Sequence, residues 1–183
     1  MGKAINLVNN FKVEKVIFNC CNFNELEQEL IKVLNKKKIP CYPCVEELNI
    51  DANKLYFLNN KDYGNENDNS SVIYTKLNNY KFLFMGDAGI EVEEDLIKKY
   101  NFQDIDVLKV GHHGSKTSSS KEFIDEISPE FSIISVGKNN RYGHPNKEVL
   151  DILSKSKIYR TDQYGSVMVK IKNNKLEIEM CAS

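Results

Sequence analysis

The chain has 183 residues, of which 41% are hydrophobic and 28% charged, and its formal net charge is -1. This length and composition predict a soluble, globular chain with an apolar core, either one domain or a large fragment of a bigger one. No apolar run reaches the length of about 18 residues that spans a bilayer. The near-zero charge argues against binding nucleic acid by bulk electrostatics but leaves a local basic face open.

The N-terminal third predicts alternating helices and strands. Apolar residues recur at helical spacing in two segments, and Asn24 is a suitable N-cap for the second helix, whose lysines gather at its C-terminal end. A polar, Asn-rich loop over 59–71 follows. The predicted elements are the end of a helix over 2–11, a strand over 13–19, a helix over 25–38, and short strands near 39–43 and 55–58.

The rest of the chain predicts a sheet with interleaved helices. Asn78 and Asn79 separate two strand patterns and suit a two-residue hairpin turn, and the second strand leads to Asp87. The order that follows is helix 92–100, strand 107–110, helix 122–127, strand 131–136, helix 146–154, strand 158–161 and a hairpin over 166–180. Alternation of this kind predicts an α/β layered fold of α+β type.

The five cysteines do not form the spacing of a small disulfide scaffold, which favours a reducing, cytoplasmic location. Cys41 and Cys44 form a C-x-x-C motif. The motif has two interpretations: a redox pair or half of a zinc site, and buried cysteines associated with strands.

Potential metal ligands follow two apolar strands. Asp87 ends the segment FLFMGD, and His112 and His113 follow VLKVG. Loops beyond the carboxyl ends of strands bind ligands in α/β sheets, and carboxylate and imidazole suit zinc or manganese. In the structural alternative, Asp87 caps a turn and the histidines pack in a tight loop. The coincidence of the two loops favours a metal site that activates water.

Hydroxyl and basic side chains next to these loops suggest a phosphate-containing substrate. Ser115 and Thr117 belong to a run of hydroxyls that precedes a helix, where they either cap it or bind phosphate. Lys138, Arg141 and His144 lie in the loop after the next strand. Residues 136–160 hold six Lys and Arg but only two acidic residues. This excess is consistent with a phosphodiester or nucleic-acid substrate, or with a solvated basic face.

Five segments are specific enough to indicate a family. They are NENDNSSVI (65–73), KFLFMGD (81–87), DVLKVGHHGSKTSSS (106–120), IISVGKNNRYGHP (133–145) and YRTDQYGSV (159–167). They resemble the metallo-β-lactamase superfamily, specifically the C-terminal domain of ComEC/Rec2-type DNA-uptake proteins. The resemblance implies an αββα sandwich that binds zinc or manganese. It also implies that Asp87 and His113 are metal ligands. His112 would either support a ligand or contact the substrate, and His144 would lie near the substrate, which makes both candidate catalytic residues. The implied reaction is metal-dependent hydrolysis, with a phosphodiester as the leading substrate class.

One motif of the superfamily is missing. Its members carry H-x-H-x-D-H after an early strand, whereas this chain has no histidine before His112. The resemblance therefore implies one domain over 1–183 that is incomplete at its N-terminus: a partial sandwich without its first strands, arising from a fragment, an internal start or a lineage that lost the site. Because a divalent site needs about four protein ligands, we expect weak or absent activity.

The alternative is a catalytically silent domain that binds nucleic acid or a partner. An uncovered sheet edge would favour a homodimer.

Overall fold

The computed structural model describes residues 3–20 and 23–181 and confirms an α+β fold. Gly2, the predicted first residue of helix 2–11, and Cys21 lie outside the described residues. The helices are α1 (Ala4–Asn10), α2 (Glu25–Lys37), α3 (Ile90–Lys99), α4 (Lys121–Ile127), α5 (Lys147–Ile152) and α6 (Thr161–Tyr164). The strands are β1 (Val16–Phe18), β2 (Cys41–Pro43), β3 (Glu47–Ile50), β4 (Asn53–Phe57), β5 (Ile73–Leu77), β6 (Tyr80–Phe84), β7 (Val107–Lys109), β8 (Phe131–Ile134), β9 (Lys157–Arg160), β10 (Ser166–Lys172) and β11 (Lys175–Cys181).

A seven-stranded mixed sheet organises the molecule, with strand order β3-β4-β5-β6-β7-β8-β9. Strands β3 to β6 are antiparallel, and β5 and β6 are joined by the predicted Asn78-Asn79 turn, in which Asn78 has a φ of 52°. Strands β6 to β9 are parallel. The carboxyl ends of these four strands therefore lie along one edge of the sheet, as the order of elements predicts.

The main core lies between one face of this sheet and helices α3, α4 and α5. Successive side chains of a strand point to opposite faces, so Leu83 and Leu108, both fully buried, belong to this core. The helices contribute buried apolar side chains, for example Val92, Phe123 and Leu153. This packing fixes the positions of the strand ends and of the loops that follow them.

The hairpin β10–β11 lies against the opposite face of the sheet. Val167, Val169 and Ile171 alternate with exposed residues along β10 and line an apolar cleft of about 440 Å³ together with sheet residues such as Phe82 and Phe84. Tyr80 ties the hairpin to the sheet, because its hydroxyl donates to the carbonyl of Asn174 (3.2 Å) and accepts from the amide of Leu176 (3.1 Å).

Helices α1 and α2 pack with the parallel pair β1–β2 around a second core, which includes Phe18 and Leu34. The predicted cap of α2 forms a reciprocal capping box: Asn24 accepts from the amide of Glu27, and Glu27 accepts from the amide of Asn24. A disulfide joins Cys20 to Cys44, so Cys44 is not paired with Cys41, which is free and half-buried. This pairing excludes a Cys41–Cys44 disulfide in this structure.

The structure contains elements that the sequence did not predict. Strand β3 and the short helix α6 lie where we expected loops, and several predicted strands and helices are one or two residues shorter than predicted. Among the described residues, no helix combines the length and the apolar character that crossing a membrane requires.

Candidate functional site

The ends of two adjacent parallel strands bring Asp87 and His113 together. Asp87 Oδ1 lies 3.7 Å from His113 Nε2, and both side chains are about half exposed. This distance is too long for a good hydrogen bond. It is compatible with two ligands that each lie about 2.0–2.2 Å from one zinc ion.

The His113 ring is oriented by a hydrogen bond on its other nitrogen. His113 Nδ1 lies 2.7 Å from the carbonyl oxygen of Ser135, at the end of β8. A carbonyl can only accept, so Nδ1 carries the proton and Nε2 of the neutral ring is left with a free lone pair toward Asp87. This is the arrangement in which histidines bind metals in proteins.

The loop over 59–71 supports the turn that carries Asp87. The Asp87 amide donates to Ser70 Oγ (3.0 Å), and the Gly89 amide donates to Asp68 Oδ1 (2.7 Å). Asn59 in turn donates to the carbonyls of Asp68 and Ser70. The polar segment NENDNSSVI therefore has a structural role at the site: it holds the aspartate turn in place.

His112 begins a short chain of polar contacts. Thr117 Oγ1 lies 3.3 Å from His112 Nδ1 and 3.0 Å from Ser115 Oγ. The His112 amide donates to the carbonyl of Gly86 and thereby joins this loop to the turn before Asp87. Thr117 is exposed and Ser115 is buried, so only Thr117 of this pair presents a hydroxyl to solvent.

The remaining residues of the hydroxyl run, Ser118 to Ser120, form hydrogen bonds that stabilise the fold. Ser118 Oγ donates to backbone carbonyls within the loop, and Ser120 Oγ caps α4 by accepting from the amide of Phe123. The amides of Ser119 and Ser120 donate to the buried carboxylate of Glu93. Burial raises the pKa of Glu93, and these backbone hydrogen bonds oppose that rise. Capping accordingly explains this part of the run, and Glu93 occupies the amides that a phosphate would need.

The loop after β8 places His144 beside the other two histidines. The ring centroid of His144 lies 6.0 Å from that of His112. Asn140 shapes the loop: its Oδ1 accepts from the amide of His144, and its Nδ2 donates to the carbonyls of Gly137 and His144. The pKa of His144 is lowered, first by burial and then by the neighbouring charges of His112 and His113. Both effects favour the neutral form of the His144 imidazole.

Lys138, Arg141 and Tyr142 are exposed on the same loop. The Arg141 guanidinium donates to the Tyr142 hydroxyl (3.2 Å). The ring of Tyr142 is stacked beside that of His144, at a centroid distance of 5.9 Å and an angle of 17°. The basic residues predicted to bind substrate therefore lie at the same sheet edge as Asp87 and His113.

The site brings together two candidate metal ligands, Asp87 and His113, rather than a complete set. Over residues 3–20 and 23–181, no group of three or more His, Cys, Asp and Glu side chains is placed to bind one metal ion. Asp68, the carboxylate on the neighbouring loop, is already engaged through both oxygens by Gly89 and Asn65. Solvent or substrate oxygens would have to complete the coordination.

Sequence reasoning missed three residues at this site. Ser135 orients His113 through its carbonyl, which no side-chain pattern reveals. Lys109 follows two apolar residues in β7. Burial lowers the pKa of Lys109, and the negative charge of Asp87 opposes this shift. A lysine inside an apolar strand was the available signal. Tyr142 was part of a quoted motif, but only the structure shows its exposure next to the histidines.

No protein-family model matches the chain. Three curated proteins are similar to it: ComE operon protein 3 of Bacillus subtilis (40% identical over 114 residues), Recombination protein 2 of Haemophilus influenzae (36% over 116 residues) and Competence protein ComA of Neisseria gonorrhoeae (36% over 122 residues). The matches cover 61–64% of this chain but only 14–18% of the relatives. The chain thus corresponds to a limited part of these proteins, which supports the predicted likeness to the ComEC/Rec2 group. Membership of the metallo-β-lactamase superfamily stays a prediction.

Proposed function

We propose that this chain is a metallo-β-lactamase-type domain for metal-dependent hydrolysis of phosphodiesters in DNA uptake, and that it is weakly active or inactive as it stands. The observation that carries the proposal is the approach of Asp87 Oδ1 to His113 Nε2 at 3.7 Å. The name of one relative, a competence protein, supports the link to DNA uptake.

Asp87 and His113 fit two positions of a zinc or manganese site. Both side chains are half exposed, and the Ser135 carbonyl fixes the tautomer that leaves His113 Nε2 free. When bound, such an ion lowers the pKa of water and stabilises negative charge on phosphate. With two protein ligands instead of about four, we expect weak affinity, because the rest of the coordination must come from solvent or substrate.

The other predicted residues serve the substrate and its protons. Lys138 and Arg141 are exposed cations that can neutralise phosphate oxygens at this sheet edge. The lowered pKa of His144 favours the neutral ring, which can accept a proton, and His112 can exchange one with the Thr117 hydroxyl. Thr117 is the hydroxyl exposed to substrate, with Ser115 behind it.

The second candidate function is a catalytically silent domain that binds nucleic acid. The lack of a three-ligand group in the described part of the chain favours it. So does the excess of Lys and Arg over 136–160 in a protein whose net charge is -1. Such binding requires no metal and weakens as salt concentration rises.

Metal binding and hydrolysis should be measured together on the full chain. We expect Mn²⁺ to bind weakly by calorimetric titration, and Asp87→Asn to lower its affinity by at least about tenfold, since losing a ligand costs no less than losing a group that orients one. Any hydrolysis of bis(p-nitrophenyl) phosphate should disappear with the same variant and with chelator. Asp51→Asn is the matched control, because Asp51 lies in the exposed β3–β4 turn, and its positive φ suits Asn.

Three outcomes would contradict the proposal. Mn²⁺ affinity that is unchanged in Asp87→Asn would exclude the aspartate as a ligand. Hydrolysis that persists in chelator at the original rate would exclude metal dependence. DNA binding that is insensitive to chelator, with no metal binding and no hydrolysis, would establish the silent alternative.

A further inference from the structure

Tyr142 is an unusually exposed aromatic residue for its position. Its exposed fraction is 68%, although it lies on the short loop that also carries His144 and Lys138. The ring is nearly parallel to that of His144, at 17°, so the two rings present one aromatic surface beside the Asp87–His113 pair. A ring that is open to water and lies beside a second ring is available to stack on a planar ligand.

The cavity next to Tyr142 offers mainly apolar and aromatic surface. It measures about 290 Å³ and is lined by Val136, Gly137 and Tyr142, together with the rings of His113 and His144. The side chain of Asn140, which also lines it, is already hydrogen-bonded to the loop backbone. A base that enters this cavity would be held by stacking, with no group free on Asn140 to read its edge.

The charge next to the ring completes the arrangement. The Arg141 guanidinium lies over the Tyr142 ring, 5.2 Å from its centroid, and donates to the Tyr142 hydroxyl. Tyr142 is still 68% exposed, so a base can approach the uncovered part of the ring with a cation beside it. A stacking ring with an adjacent cation is the combination by which proteins bind single strands.

We propose that Tyr142 stacks on a base of a single-stranded polynucleotide and that Arg141 neutralises the adjoining phosphate. The inference rests on the proposed function and narrows its substrate class. Bases in a duplex are already stacked on each other and cannot reach the ring, whereas every unpaired base has a face that can stack. Binding is therefore selective for single strands and tolerant of sequence.

Fluorescence anisotropy with labelled 12-residue oligonucleotides tests this proposal on the full chain. We expect Tyr142→Ala to weaken binding of single-stranded DNA by about 5- to 150-fold, the range measured for the loss of one stacking contact. Tyr142→Phe keeps the ring and should bind within about threefold of the original, since stacking uses the ring face. Phe11→Ala is the matched control, because Phe11 is 70% exposed on a different part of the molecule.

An abasic oligomer separates stacking from charge. The original protein should bind the abasic oligomer as weakly as Tyr142→Ala binds normal single-stranded DNA. The affinity of Tyr142→Ala should be the same for both oligomers. Measurement with an oligoribonucleotide shows whether the protein prefers DNA or RNA. A loss of affinity in Tyr142→Ala with either kind of strand supports the proposal. Equal affinity of Tyr142→Ala and the original for normal single strands would overturn the stacking proposal alone. No binding of any oligomer by the original protein would overturn the proposed function as well.

Discussion

Gly114 shows how one residue couples the two histidine loops. Its φ is 78°, and a Cβ atom built on it would lie 2.6 Å from Cβ of Pro145. Its carbonyl accepts from the amide of Asn146 (2.8 Å), just beyond Pro145. The loop that carries His113 and the loop that carries His144 therefore meet at a contact that only glycine permits.

Gly114→Ala should destabilise the protein by about 2–5 kcal/mol, the sum of a left-handed backbone penalty and an overpacking cost. Gly143→Ala is the matched control, because its φ is 69° but nothing lies within 4 Å of the added Cβ. It should lose only the backbone part, about 1–2 kcal/mol. Urea denaturation measures both free energies of unfolding. Equal losses in the two variants would show that the contact with Pro145 is unimportant.

The candidate metal ligands could be predicted at the residue scale, whereas their support could not. Asp87 and His113 are chemically distinctive and directly follow apolar strands, so their placement follows from the order of elements. The Ser135 carbonyl contacts His113, 22 positions away in the sequence. The Glu93 carboxylate contacts the Ser119 amide, 26 positions away. Such contacts depend on tertiary packing and leave no local signature.

At the scale of elements, the hairpin β10–β11 depends on few polar links to the sheet. The hydroxyl of Tyr80 makes two of them, to Asn174 and Leu176. Asn78 Nδ2 makes a long third one, to Asn174 Oδ1 (3.4 Å), and the half-buried apolar face of β10 borders an open cleft. The hairpin should therefore open more readily than the core of the sheet.

Tyr80→Phe should lower the local stability of the hairpin without unfolding the sheet. Loss of hydrogen bonds worth about 1–2 kcal/mol raises amide exchange over 166–181 by about 5- to 30-fold. Exchange in β6 and β7 should stay unchanged, and Tyr56→Phe, which changes an exposed tyrosine of β4, serves as control. Hydrogen exchange followed by mass spectrometry measures these exchange rates in the hairpin and in the sheet strands. A uniform rise in exchange across the sheet would mean that the hairpin is part of the main cooperative unit.

The sequence predicted most elements because their patterns are local, and β3 shows where this approach fails. Its residues, Glu47–Ile50, alternate weakly, and the Asp51-Ala52 turn lacks the Asn-Gly signature of a hairpin. Pairing with β4 makes this segment a strand, and Asp51 adopts a φ of 50° to allow the turn. Pairing with β4 therefore determines the strand conformation of this segment, which its intrinsic β-propensity did not determine.

At the scale of the whole molecule, the seven-stranded sheet ends in β3, which among the described residues pairs only with β4. The Phe57 amide donates to the carbonyl of Glu46, and bonded pairs alternate along an antiparallel ladder. Leu48 and Ile50 are therefore in bonded pairs with β4, and the amide of Asn49 points away from the sheet. An outward row of backbone groups is a template for pairing with a second copy of the chain.

We predict that two copies associate through β3, as the sequence led us to expect, and that Asn49→Pro separates them. Proline removes the outward amide without breaking a bond to β4, so the fold should survive while the pairing between copies is lost. Asn49→Ala keeps the amide and should remain dimeric. Size-exclusion chromatography with light scattering reports the mass, which should halve for the proline variant. A monomeric mass for the unmodified chain, or a dimer that persists in Asn49→Pro, would exclude this edge as the interface.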